Sequence, residues 1–167
     1  MSITLKKLLG RVLSVTAVGG ASIALAGCSL LGGGAGVVEG EGEQTDVFTI
    51  KVGDCLNDGG AEGEVTSVPT ISCDEPHDSE AYLSHMVPDG EFPGQEAVFE
   101  EAEAACLAEF ESYVGNVYEE SMVGFSYFYP TESSWATGDR EVLCLLREFD
   151  EAGNEIQTTG SLKGSGK

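Results

Sequence analysis

The residues of this chain best suited to chemistry are gathered in Cys73-Asp74-Glu75-Pro76-His77-Asp78-Ser79-Glu80. An imidazole among the carboxylates of Asp74, Glu75, Asp78 and Glu80, with His85 a few residues on, has the donor types of a metal site or an acid/base pair. The same residues have a structural reading, in which Pro76-His77 shapes a turn beside Cys73 and His77 hydrogen-bonds to the loop backbone. A second candidate is the connection Thr131–Arg140, which carries the single Trp of the chain. Trp and Arg are enriched at binding hot spots, and this connection is longer than a hairpin needs. Its structural reading has Trp135 capping a core and Arg140 paired with one of many acids. His77, Asp78, Trp135 and Arg140 are therefore the candidate binding residues.

Recognisable catalytic patterns are missing from the sequence. It contains no G-x-S-x-G, H-E-x-x-H or G-x-x-x-x-G-K-[ST] motif. A calcium loop started at Asp54 places Leu56 and Val65 where oxygen ligands belong. The reading assigns no catalytic residue, no metal and no cofactor, and expects a protein that is not an enzyme.

The five cysteines divide by position. Cys28 ends Leu25-Ala26-Gly27-Cys28, which follows a basic segment (Lys6, Lys7, Arg11) and an apolar run from Val12 to Ala24. That is a secretory signal layout, too short and too broken by Gly19 and Gly20 for a permanent membrane helix. The last four residues resemble a bacterial lipobox, which implies cleavage before Cys28 and its acylation (diacylglycerol and palmitate-type chains). Two or more acyl chains give stable anchoring, at about 0.8 kcal/mol per buried CH₂. The expectation is a lipoprotein on the outer face of the cell membrane, with residues 1–27 as signal peptide. The remaining four, Cys55, Cys73, Cys106 and Cys144, form an even set in an exported domain and read as two disulfides. Three pairings exist; Cys55–Cys73 with Cys106–Cys144 closes the most modest loops. Zinc is disfavoured because no C-x-x-C pair and no histidine cluster is present.

Charge narrows the partners. Once the signal is removed the chain keeps five basic against 29 acidic residues, a net of −24. Nucleic acid needs the opposite sign, so it is excluded as a partner. The expected partners are the membrane, through the lipid, and a protein of the cell envelope.

The elements that must hold these residues follow from the pattern. Residues 28–46 are Gly-rich and then alternate Glu with Gly, and read as a flexible tether after the lipidated cysteine. Residues 47–150 read as the folded domain. Strands are expected at Val47–Val52, at Glu64–Ser72 (where Pro69 confines the strand to an edge or bend), at Glu80–Val87, at Val123–Tyr129 and at Val142–Phe149. A helix is expected from after Gly94 to about Tyr113, with Phe99, Ala102, Cys106, Phe110 and Tyr113 as its core stripe and Gly115-Asn116 as its stop. Residues 151–167 read as a polar tail with a short edge strand near 160–164. The fold class is α+β, a small antiparallel sheet packed on one main helix and stapled by disulfides.

Taken in order, Val52-Gly53-Asp54-Cys55-Leu56, Cys73-Asp74-Glu75-Pro76-His77, Phe92-Pro93-Gly94, Cys106 and Trp135-Ala136-Thr137-Gly138-Asp139-Arg140 before Cys144 resemble the septum-formation domain family of actinobacterial membrane proteins and lipoproteins. The resemblance spans Val52 to Leu162. It implies an exported domain of the cell envelope linked to septum formation or cell division, and it implies no catalytic residues. The function expected is an extracytoplasmic binding module. The alternative is a small-ligand or metal sensor centred on the His77 loop.

Overall fold

A computed structural model describes residues 36–61 and 63–167. The expected signal peptide and Cys28 lie outside the described residues. Seven strands form one antiparallel sheet: β1 (Glu43–Asp46), β2 (Cys55–Leu56), β3 (Ser67–Ile71), β4 (Ser79–Met86), β5 (Val123–Phe128), β6 (Glu141–Phe149) and β7 (Glu155–Ile156). Their spatial order is β1-β3-β2-β4-β6-β5, and β7 pairs β6 beyond the end of β4. Among the described residues there are two α-helices, α1 (Gln95–Val114) and the short α2 (Glu132–Ala136). Among the described residues no helix is long and apolar enough to cross a membrane.

Strand β6 explains the layering. Its run Val142-Leu143-Cys144-Leu145-Leu146 is apolar at every position, the signature of a strand buried on both faces. Val142, Cys144 and Leu146 join α1, Tyr82 and Leu162 in one hydrophobic cluster. Leu143 and Leu145 join Ile50, Leu56, Val68 and Ala81 in a second cluster, inside the curl of the sheet. Helix α1 meets the first cluster through Ala102, Cys106 and Phe110, one residue per turn, with Tyr113 and Val114 at its end, and Val98 is buried a turn earlier. Gly115 stops it in the left-handed region at φ 86°, donating its N–H to Glu111 O. Phe99, expected in the stripe, is half-buried and packs on the rings of Tyr127 and Tyr129.

The two disulfides are Cys55–Cys73 and Cys106–Cys144, with Cα separations of 5.3 and 5.7 Å. The first clips β2 to the residues after β3. The second ties the middle of α1 to the middle of β6.

Several expected elements differ in the structure. Val47–Val52 is not a strand: Asp46 accepts a hydrogen bond from Phe48 N at 2.9 Å, which turns Val47–Thr49 into a 3-10 helix. The strand lies instead at Glu43–Asp46, within the stretch expected to be tether. Residues 36–46 run along β3, with Val38 N bonded to Ser67 O and Thr45 Oγ1 to Thr70 Oγ1. Gly42 allows this close approach, since a Cβ there would lie 2.5 Å from Thr70 O. Strand β3 starts only at Ser67, and it is interior rather than an edge, because β1 covers it. Pro69 is tolerated there, and its carbonyl accepts from Asn57 N.

The tail is structural as well. No strand forms at 160–164; β7 lies earlier, Thr158 bridges to His77 on both backbone bonds, and Leu162 is fully buried. Gly164 N and Gly166 N then bond to Tyr113 O and Val114 O, which occupies carbonyls that α1 leaves open at its end.

Removing a crosslink should cost stability in proportion to the loop it closes. The Cys106–Cys144 loop spans 38 residues and the Cys55–Cys73 loop 18, which gives about 4 and about 3 kcal/mol by chain entropy. Urea unfolding of C106A/C144A and C55A/C73A is expected to show losses of that size, larger for the first. Equal or negligible losses would contradict the role given to the α1–β6 tie.

Candidate functional site

An opening with apolar walls lies at the end of the second cluster. Val47 and Phe48 after β1, Val65 and Thr66 before β3, Phe128 and Tyr129 at the end of β5, and Leu143 of β6 form its walls. The cavity measures about 300 Å³. Helix α2 closes one side with a row of hydroxyls. Thr131 and Ser134 form a capping box, each side chain bonding to the other residue's backbone N–H at 3.2 and 2.9 Å. Ser134 Oγ also donates to Asp139 at 2.8 Å, and Ser133 Oγ reaches across the opening to Glu64 at 3.2 Å. Glu141, the third carboxylate of the cleft, accepts from Ser84 Oγ. Among the described residues the opening thus offers apolar walls, hydroxyls and three carboxylates, the mixture of a few polar groups on an apolar surface that ligand sites show.

Two buried polar clusters sit elsewhere. Asp58, on the turn after β2, pairs with Arg147 of β6 at 2.6 Å and accepts from Ser79 Oγ at 3.1 Å. Arg147 also donates to Ser126 Oγ and Glu155. Burial holds the Asp58 carboxyl above its ordinary range, against the opposing pull of Arg147 and Ser79. Glu80, fully buried on β4, accepts from Tyr113 Oη at 2.9 Å, Ser161 Oγ at 2.7 Å and Leu162 N at 2.6 Å. One carboxylate thereby fastens the sheet, the end of α1 and the tail together. Burial, then the bond to Glu80, raises the Tyr113 hydroxyl above its usual range, so it stays a donor.

The structure places each candidate residue from the sequence. His77 is completely buried, under the tail strand at Thr158, and its Nδ1 donates to Glu75 O at 2.9 Å. That bond fixes the tautomer and leaves Nε2 buried without a partner. Donor atoms of Cys55, His77 and Glu80 lie within 4.8 Å of one another, but the Cys55 sulfur is bonded to Cys73 and offers no thiolate. Asp78 accepts from Gly59 N and Gln157 Nε2, two contacts that hold loop and tail. The other acids of the expected cluster, Asp74 and Glu75, are exposed and not gathered round the imidazole. His85 stands apart, bonded to Glu101 of α1 at 2.9 Å.

Trp135 is buried, donates to Gly90 O at 3.0 Å and packs edge-on against Phe92. The Arg140 guanidinium stacks 3.7 Å from the Trp135 ring centroid and pairs with Asp89. These two residues secure the α2 connection against Gly90, Phe92 and Asp89. The connection thus turns the two expected hot-spot side chains inward. Its hydroxyls, with Phe48, Glu64, Tyr129 and Glu141, line the opening, and residues so far apart in the sequence carried no joint signal.

The buried ion pair makes a pH-dependent prediction. Arg147→Met leaves Asp58 buried without its cation and is expected to cost about 3–5 kcal/mol at neutral pH. A raised folded-state pKa means that the native protein binds more protons than the unfolded chain, so stability falls as pH rises from about 3.9 through the folded value. Without Arg147 that folded value moves further up. Urea midpoints for R147M should therefore recover on acidification across this window relative to the parent. A deficit independent of pH would contradict the pairing.

A family described as septum formation matches residues 52–167. No curated protein and no solved structure matches the chain.

Proposed function

The chain belongs to the septum-formation family, and we propose that it acts as a non-catalytic docking module, anchored through Cys28 to the outer face of the cell membrane. The family ties the chain to a role related to cell division. One observation carries the docking reading: the cleft bounded by Phe48, Val65, Phe128 and Tyr129 is the open end of a hydrophobic cluster that none of the described residues covers. Phe48 at its edge is 58% exposed, an unusual exposure for an aromatic side chain with no partner to bury it. The two disulfides support an address outside the cytoplasm, since such bonds persist in oxidising compartments. A protein of the cell envelope is the partner this reading requires.

The second reading, a small ligand or metal held at the His77 loop, is favoured by the buried, unpartnered His77 Nε2 close to Glu80. It requires the tail to lift and a zinc-dependent rise in Tm that His77→Ala abolishes.

In cells, a fluorescent fusion of the full chain is expected to concentrate at division septa and to fractionate with membranes. Cys28→Ser should lose the membrane fraction. F48A/Y129A should stay membrane-bound and folded yet spread evenly around the cell. Septal enrichment that survives F48A/Y129A would overturn the docking reading.

A further inference from the structure

The cleft combines apolar walls with three carboxylates, Glu64, Asp139 and Glu141, and no cation lines it. Their bonding partners are neutral: Ser133 for Glu64, Ser134 and the Glu141 N–H for Asp139, and Ser84 for Glu141. Arg140, adjacent in sequence, stacks over Trp135, pairs with Asp89 and donates to the backbone carbonyls of Trp135 and Asp139, and makes no bond to a cleft carboxylate. Hydroxyls thus hold the three carboxylates, and among the described residues no cation pairs with them. A lysine or arginine side chain answers both features at once, its methylene stem against Val65, Phe128 and Leu143 and its head against the carboxylates.

Size distinguishes a peptide from a free amine. A cavity of about 300 Å³ lies at the low end of ligand sites and holds one or two side chains. The exposed Phe48 at the rim extends the apolar surface beyond that volume, so the fitting partner is larger than the pocket. The whole chain, at a net charge of −21, attracts cationic segments over a longer range.

We propose that the cleft takes a lysine or arginine side chain presented by an extended, basic segment of a partner protein. The proposal rests on the docking reading above and names the chemistry of its partner.

The test uses the full chain in mild detergent, with both disulfides intact. The probe is a short fluorescent peptide alternating arginine with leucine, beside a copy carrying neutral citrulline for arginine. Fluorescence anisotropy at physiological salt is expected to show the arginine peptide binding at least about tenfold more tightly than the citrulline peptide. E64Q/E141Q should weaken the arginine peptide by about tenfold, while E100Q/E103Q on the exposed face of α1 should change it less than about twofold. Should the double variant fold poorly, E64Q alone, in an exposed loop, is expected to weaken binding about threefold. Equal losses in the α1 variant would show attraction to the overall charge and overturn the proposal. No preference for arginine over citrulline, in a protein whose septal placement still depends on Phe48 and Tyr129, would overturn the cationic occupant and leave the docking reading standing. Loss of that dependence as well would remove both.

Discussion

The Cys106–Cys144 bond joins the middle of α1 to the middle of β6, and β6 gives Val142, Cys144 and Leu146 to one hydrophobic cluster and Leu143 and Leu145 to the other. Because successive residues of a strand face opposite sides, a slip of one residue in β6 would exchange the two clusters' side chains. The disulfide opposes such a slip by fixing Cys144 toward the helix. Leu143 and Leu145 must then face the curl, where Leu56, Val68 and Ala81 meet them. The register of β4 and β5 follows, since both pair directly with β6.

The buried polar groups place the periphery on this frame. Asp58–Arg147 draws the turn after β2 onto the inner face of β6. Glu80 gathers Tyr113, Ser161 and Leu162, so the tail becomes part of the core wall. Trp135, Arg140 and Gly90 lock the α2 connection against the loop before α1. Each group is expensive to bury and is matched by donors or an opposite charge, as a low-dielectric interior demands. Between these anchors, the 63–66 segment and α2 meet through one side-chain bond, Ser133 to Glu64. The cleft opens at that weakly joined edge, where two walls are well supported from behind and lightly tied to each other.

Much of the frame was legible in the sequence. Apolar positions at helical spacing and Gly115 marked α1 and its end; unbroken apolar residues marked β6; an even cysteine set marked the staples. What escaped was carried by tertiary contacts. Glu43-Gln44-Thr45-Asp46 has no apolar residue, so nothing local marks it as a strand; its pairing with β3 does. Val47–Val52 has strand composition, yet the Asp46 side chain turns it into a 3-10 helix. The tail owes its place to one leucine and a buried glutamate more than 80 residues away in the chain, a separation no local pattern reports. The cleft draws single residues from several distant segments, and only the hydroxyls and Asp139 of the α2 connection came from a stretch that the sequence singled out.

The account stands on the cleft as the docking surface of an otherwise self-contained fold. Hydrogen exchange on the full chain, free and within envelope membranes, tests that claim most directly. Slowed exchange at residues 63–66 and 128–137, with the outer face of α1 unchanged, is the result the account predicts. Protection confined to α1, or none at the cleft in the membrane-bound protein, would contradict it.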